Sequence, residues 1–243
     1  MSQVLLEAQS LSKQYGDRYV VHNFNLRLHS GEVLGLLGVN GAGKSTTMGM
    51  LTGCLATSSG HVTIKGVSLA QQPLMAKQAL GYLPEQPPVY PELTVDEYLQ
   101  YCAKLHGIKG TAINAAVNAA VADCGLTTMR KRLIGNLSKG YQQRVGIAQA
   151  IIHRPDVIIL DEPTVGLDPV QIREIRALIK QLGTQHSVII SSHIMQEIQA
   201  VCSRVMVLHN GKTVLDDSMA HIAESGTSLE ERFIALVLKE IEA

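Results

Sequence analysis

The residues Gly38-Val39-Asn40-Gly41-Ala42-Gly43-Lys44-Ser45 follow the spacing G-x-x-x-x-G-K-[ST]. That combination suits the holding of a chain of phosphates. Glycines, lacking Cβ, let the backbone curl until successive N–H groups point inward at an anion. A lysine brings a point charge to the terminal phosphates, and a serine hydroxyl brings a ligand for Mg²⁺. A helix opening at Lys44 adds its positive N-terminal end. The plainer alternative is a glycine-rich turn with an incidental Lys-Ser. The apolar run Val33–Leu37 before the loop and the helical stretch after it favour the cradle. Gly38, Val39, Asn40, Gly41, Ala42, Gly43, Lys44, Ser45 and Thr46 are therefore the candidate nucleotide-binding residues. The loop alone leaves open which nucleotide it holds and what the energy drives.

A second set of reactive groups lies far along the chain. Val157-Ile158-Ile159-Leu160 is an apolar run ending in Asp161 and Glu162. A buried strand delivers such carboxylates to the carboxyl edge of a sheet, where open α/β sheets bind ligands. Asp161 is placed to hold Mg²⁺ through water. Glu162, one residue on, points elsewhere and suits a general base for an attacking water. Two acidic residues merely capping a strand before Pro163 is the competing reading. Ser191-Ser192-His193 ends another apolar run, so His193 reaches the same edge, where a contact to a terminal phosphate or to water is open to it.

These groups need a frame. Val33–Leu37, Val157–Leu160, Val188–Ile190 and Val205–Leu208 read as fully apolar strands. Between them, Ile172, Ile175, Leu178, Ile179 and Leu182 keep one helical face, as do Ile194, Ile198, Val201 and Cys202. Such alternation predicts a parallel sheet covered on both sides. Residues 4–29 and 61–69 look like shorter alternating strands, and Asn210-Gly211 like a tight hairpin turn. Pro84, Pro87, Pro88 and Pro91 mark a loop. Thr94-Val95-Asp96-Glu97 then reads as a capping box, and the alanine-rich stretch 112–122 as helix. Residues of about 92–153 form a helical insertion in the α/β core. A last helix over about 228–242 carries the stripe Leu229, Phe233, Leu236, Val237 and Ile241, expected to pack on its own core.

The bulk numbers limit the partners. Apolar residues make up 46% and charged residues 17%, values of a folded globular chain rather than a disordered one. Lys plus Arg and Asp plus Glu are 21 each, so no global charge draws the chain to nucleic acid. The four cysteines form no C-x-x-C pair and read as buried free thiols in a reducing compartment. No apolar run spans a bilayer, and the start MSQVLLEAQS lacks the regions of a secretory signal. A cytoplasmic location follows, with any membrane part on another chain.

Leu137-Ser138-Lys139-Gly140-Tyr141-Gln142-Gln143-Arg144 resembles the LSGGQ signature of ABC ATPases. Tyr15-Gly16, GVNGAGKST, LSKGYQQR, VIILDEP, GLDP and SSH also fall in that family's order, so the resemblance covers essentially the whole chain. It implies one ABC ATPase domain over 1–243, α/β in class. Its core would be a P-loop NTPase (RecA-like) fold, with an N-terminal antiparallel β-subdomain and a helical signature subdomain. It implies ATP and Mg²⁺ as cofactors. Tyr15 looks like the aromatic that stacks on adenine. Ser138, Lys139, Gly140 and Tyr141 look like the signature that meets ATP held by a second copy. Asp168 looks like part of the D-loop that crosses the dimer interface, and His193 like the switch histidine. The family works as a dimer around two ATP, on the cytoplasmic face of the membrane, against an integral membrane permease.

Three positions depart from the family pattern. Lys139 and Tyr141 replace a Gly and the last Gln of the signature. Lys139 either adds charge near phosphate or is simply solvated. Glu85, rather than Gln86, falls at the Q-loop glutamine, and its carboxylate can still bind Mg²⁺ beside Ser45 and Asp161. The stretches around Tyr82-Leu83-Pro84-Glu85 and the signature resemble the bacterial subgroup exporting drugs, polysaccharides or envelope components. A family member acting on ribosomes or DNA is the alternative. Against it stand the single cassette, the lack of a long insert or zinc module, and the neutral charge. A GTPase reading lacks an N-K-x-D motif.

Overall fold

A computed structural model describes residues 3–241, with only the backbone described from 236 onward. The strands are β1 Val4–Tyr15, β2 Arg18–His29, β3 Val33–Leu37, β4 Ser59–Ile64, β5 Val67–Ser68, β6 Leu80–Leu83, β7 Val157–Leu160, β8 Ser187–Ser192, β9 Arg204–His209 and β10 Lys212–Ser218. The helices are α1 Lys44–Thr52, α2 Pro73–Lys77, α3 Val95–Leu105, α4 Ala112–Asp123, α5 Lys139–Ile151, α6 Pro169–Leu182, α7 Met195–Val201, α8 Met219–Glu224 and α9 Leu229–Ile241.

The apolar runs assemble as a six-stranded sheet in the order β10-β9-β3-β8-β7-β6. Four of its five pairings run parallel, and the fifth, β10 with β9, is an antiparallel hairpin. That hairpin turns through Asn210 and Gly211, at φ 46° and 76°, the left-handed pair a two-residue turn needs. Strand residues alternate between two cores. Val157 and Ile159 face the layer that holds Leu34, Leu36, Met48 and Leu51. Ile158 and Leu160 face the helices, among Val145, Ile147, Ile175 and Ile179. The parallel sheet is thus covered on both faces, which is why its strands carry no polar face. This is the α/β core expected of a P-loop NTPase.

The second sheet, β2-β1-β4-β5, is antiparallel. Residues 4–29 were expected to form shorter strands, yet they form two 12-residue strands. Left-handed Ser10 and Asn23, at φ 49° and 51°, accompany register shifts that break the alternation without ending the pairing. In the helical layer the Thr94 capping box forms, with Thr94 Oγ1 accepting from Glu97 N–H and Glu97 Oε2 accepting from Thr94 N–H at 2.8 Å. Gly81 of β6 lets α5 approach closely, because a Cβ there would collide with the Ala150 carbonyl.

Ser228 caps α9 against Glu231, and Leu229 and Phe233 pack on the helical core. Leu236, Val237 and Ile241 of the expected stripe, and residue 242, lie outside the described side chains. The expectation of four buried thiols is corrected at Cys54, which is exposed beyond the left-handed Gly53 that ends α1. Cys102, Cys124 and Cys202 are buried.

Candidate functional site

Strands β3, β7 and β8 lie side by side, so their carboxyl ends deliver the cradle, Asp161-Glu162 and His193 to one sheet edge. A cavity of about 290 Å³ opens there, lined by Asn40, Gly41, Gly43, Lys44, Ser45, Thr46, Glu85, Glu162 and His193, with Val20 and Val165. Gly41 and Gly43 stand at φ 82° and 104°, conformations that side chains rarely adopt. A Cβ on Gly43 would also meet the Val20 carbonyl at 2.8 Å. Gly43 is the N-cap of α1 and offers no side chain to the helix's first N–H groups. Those groups and the helix dipole are thereby free for an anion.

Three charged side chains are buried at this edge. Lys44, Asp161 and Glu162 are 6%, 3% and 6% exposed. Such burial is tolerable only with partners. Lys44 Nζ donates to the carbonyls of Gly38 and Val39, at 2.8 and 3.3 Å, and lies 3.2 Å from Glu162 Oε1. Glu162 Oε2 lies 2.9 Å from His193 Nδ1. Glu162 stands at φ 47°, which turns its side chain away from that of Asp161 and into the cavity. Asp161 Oδ1 accepts from Ser191 Oγ at 2.5 Å and from Ser45 Oγ at 3.4 Å. Burial pushes the Asp161 carboxyl up from its ordinary value, against the pull of those two hydroxyls.

Some expected residues stay apart from this group. Ala42 is packed into the core, and its N–H returns to the Val39 carbonyl at 3.1 Å. Tyr15 ends β1 half-exposed, under Lys13 Nζ at 5.0 Å, and does not line the cavity. Ser138, Lys139, Gly140 and Tyr141 open α5, where Ser138 Oγ accepts from Tyr141 N–H. None of the four lines the cradle cavity. Lys139 instead lines an adjoining space with Glu85, Gln86, Gln143 and Val165, and its ammonium lies against Gly166. Gly140 packs so tightly on Gln171 that a Cβ would sit 2.9 Å from it. Asp168 caps α6, accepting from Val170 and Gln171 N–H at 2.9 Å.

Three residues here were not among the sequence candidates, Val20 and Val165 in the cavity lining and Ser191 behind it. Val20 roofs the cradle from β2, and only the fold brings it there. Ser191 was read as part of Ser-Ser-His, with attention on the histidine. Its hydroxyl next to an apolar run was the available signal.

Glycines held at positive φ, a buried lysine and an uncapped helix opening are the features a phosphate cradle requires, and the family is shown by comparison. A family model described as "ABC transporter" matches residues 21–165. The chain belongs to the ABC transporter family. It is similar to the linearmycin resistance ATP-binding protein LnrL of Bacillus subtilis, at 36% identity over 86% of this chain and 68% of that one. It is also similar to the lantibiotic transport ATP-binding protein SrtF of Streptococcus pyogenes, at 33% identity over 97% of this chain and 99% of that one. A solved ATP-binding subunit of an ABC transporter superposes with a TM-score of 0.84 at 30% identity, covering 96% of this chain and 99% of that chain. The family's ATP-binding proteins are ATPases coupled to transport, and this chain is one of them. Among its described residues no helix is long and apolar enough to cross a membrane.

Proposed function

We propose that this chain is the motor of an exporter, closing as a head-to-tail homodimer on two ATP to drive a separate integral membrane permease. The whole of residues 1–243 forms the one cassette, and it works as a peripheral subunit on the cytoplasmic face of the membrane. The observation that carries the chemistry is Glu162, buried inside the phosphate cavity between Lys44 Nζ at 3.2 Å and His193 Nδ1 at 2.9 Å. The cradle and the α1 N-terminus hold the β- and γ-phosphates, with Lys44 neutralising charge on them. Glu162 accepts the proton of an attacking water as its oxygen bonds to the γ-phosphorus. The bond from that phosphorus to the bridging oxygen breaks, giving ADP and phosphate. His193 keeps the Glu162 carboxylate aimed.

Ser45 and Asp161 suit Mg²⁺: both are hard oxygen ligands, and Asp161 Oδ1 lies 3.4 Å behind the hydroxyl of Ser45, which lines the cavity. No group of three His, Cys, Asp or Glu among the described residues makes an all-protein cage. Mg²⁺ is commonly held by one or two carboxylates together with substrate phosphates, so this donor set fits it. When bound, the ion supplies positive charge to the phosphate oxygens. Glu85, lining the same cavity, would add a second carboxylate to that of Asp161.

Tyr15, exposed at the end of β1, stacks on adenine. Ser138, Lys139, Gly140 and Tyr141 face the ATP of the second copy, which agrees with their absence from the cavity of their own chain. Asp168, at the exposed start of α6, belongs to the same dimer interface. For the permease, a second cavity of about 180 Å³ lies between Lys77 of α2 and His106 after α3. Leu74 and Met75 on α2 and Tyr101 and Leu105 on α3 are exposed apolar side chains on the elements beside it, suited to a membrane subunit's cytoplasmic segment. Export rather than import rests on relatives named for linearmycin resistance and lantibiotic transport. Nucleic acid has no part in this reading, in keeping with the balanced charge.

Glu162→Gln tests it. ATP binding is expected to persist while steady-state hydrolysis falls by about 10²- to 10⁴-fold. With ATP, the variant is expected to run at twice the monomer mass in light scattering. Native turnover in that variant overturns the general-base role.

A further inference from the structure

We propose that Ser191 is a positioning residue for ATP hydrolysis, setting the aim of both the metal-binding and the water-activating carboxylate from one hydroxyl. The proposal rests on the roles given above to Asp161 and Glu162. In the sheet, Leu160 of β7 is abreast of Ile190 of β8, so the next residues, Asp161 and Ser191, reach the carboxyl edge together. Ser191 Oγ donates to Asp161 Oδ1 at 2.5 Å and accepts from the backbone N–H of Glu162 at 2.8 Å. Ser191 is 0% exposed, so its single proton goes to Asp161 and a lone pair faces Glu162.

The consequence differs at the two carboxylates. Asp161 Oδ1 is also the atom that meets Ser45 Oγ, at 3.4 Å. Ser191 therefore fixes the oxygen that shares the metal edge with the cradle. At Glu162 the hydroxyl acts on the backbone. The residue stands at φ 47°, a region unfavourable to a side-chain-bearing residue, and its N–H is anchored only if something buried accepts it. That backbone turn sends the Glu162 carboxylate toward Lys44 and His193 and leaves Asp161 facing Ser45. Ser191 lines no part of the cavity, so it acts through these neighbours rather than on nucleotide.

Removing the hydroxyl leaves a buried N–H without its acceptor and a carboxylate oxygen without its strongest donor. Partners of this kind behind a metal ligand alter activity or metal affinity by roughly 10- to 100-fold. The experiment compares native protein with Ser191→Ala and Ser191→Thr. It measures kcat and KM, binding of a fluorescent ATP analogue in EDTA and in Mg²⁺, and melting temperature. For Ser191→Ala, kcat is expected to fall by on the order of tenfold or more. Analogue affinity in EDTA should stay native, and the extra affinity conferred by Mg²⁺ should shrink. Ser191→Thr, which keeps the hydroxyl, should recover a larger share of both.

A native kcat and a native Mg²⁺ effect in Ser191→Ala overturn the proposal. So does a loss of EDTA affinity matching the loss of kcat, which marks a general collapse of the site. Should Ser191→Ala fail to fold, Ser191→Cys, close in shape with a weaker donor, carries the comparison, and a native Mg²⁺ effect in it overturns the proposal. Glu162→Gln separates the two layers. If that variant hydrolyses normally, the assigned chemistry is wrong; if it is dead while Ser191→Ala is native, only the role of Ser191 is wrong.

Discussion

The lysine of the cradle has two employers. Lys44 Nζ bonds the carbonyls of its own loop and pairs with Glu162, all at a side chain 5% exposed. Removing the ammonium takes away a cation from the phosphates and leaves a buried carboxylate facing them. Both effects oppose nucleotide binding. Loss of one partner from a buried, hydrogen-bonded charge pair costs about 2 kcal/mol or more, so Lys44→Ala is expected to lower ATP affinity by about 30-fold or more. Calorimetric titration with ATP measures this directly, and an unchanged affinity counts against the cradle. The cradle was legible because its residues are contiguous and each type has one use there. Ser191 was not, because its partner Asp161 is 30 residues away and only the adjacency of β7 and β8 joins them.

At the level of elements, local signals served well where a few neighbouring residues decide the outcome. The Thr94-to-Glu97 box, the Asn210-Gly211 turn and the Ser228 cap are all of that kind. Strand length in β1 and β2 was hidden, since the left-handed Ser10 and Asn23 shift the alternation while a neighbouring strand keeps the pairing alive. The seating of α5 on β6 was hidden too. It depends on Gly81, whose missing side chain admits the Ala150 carbonyl. The obstacle is backbone, which cannot swing aside, so Gly81→Ala is expected to cost about 1–3 kcal/mol. For a chain of this size that lowers the melting temperature by roughly 2–10 °C. A native melting curve would show that the helix has room to shift.

Over the whole molecule, stability depends on groups far from the nucleotide. His106 and His153 stack at 3.7 Å between ring centres, joining the end of α3 to the chain after α5. Burial holds His106 below its ordinary value; in His153, burial, aided by the His106 ring, pushes it down to about 4. An unfolded histidine titrates near pH 6.5. Between about 6.5 and about 4 the unfolded chain takes up a proton that folded His153 refuses, so stability is lost as the pH falls through that window. Asp161 contributes with the opposite sign in the carboxylate range, since its raised carboxyl is protonated more readily when folded. His153→Phe keeps a flat ring and cannot titrate. Its urea midpoint should drop less between pH about 7 and about 5 than that of the native chain. An equal drop in both proteins removes His153 as the cause.

The alternation along β7 sets how the molecule comes apart. Val157 and Ile159 belong to one core and Ile158 and Leu160 to the other, so neither layer can open without disturbing a strand the other needs. Its amides are paired on both sides, to β6 and to β8. Their protons should then exchange with deuterium only through global opening, and more slowly than those of α2 or the β5 edge. Amides of β7 that exchange by a cheaper local route would mean that the two cores unzip independently.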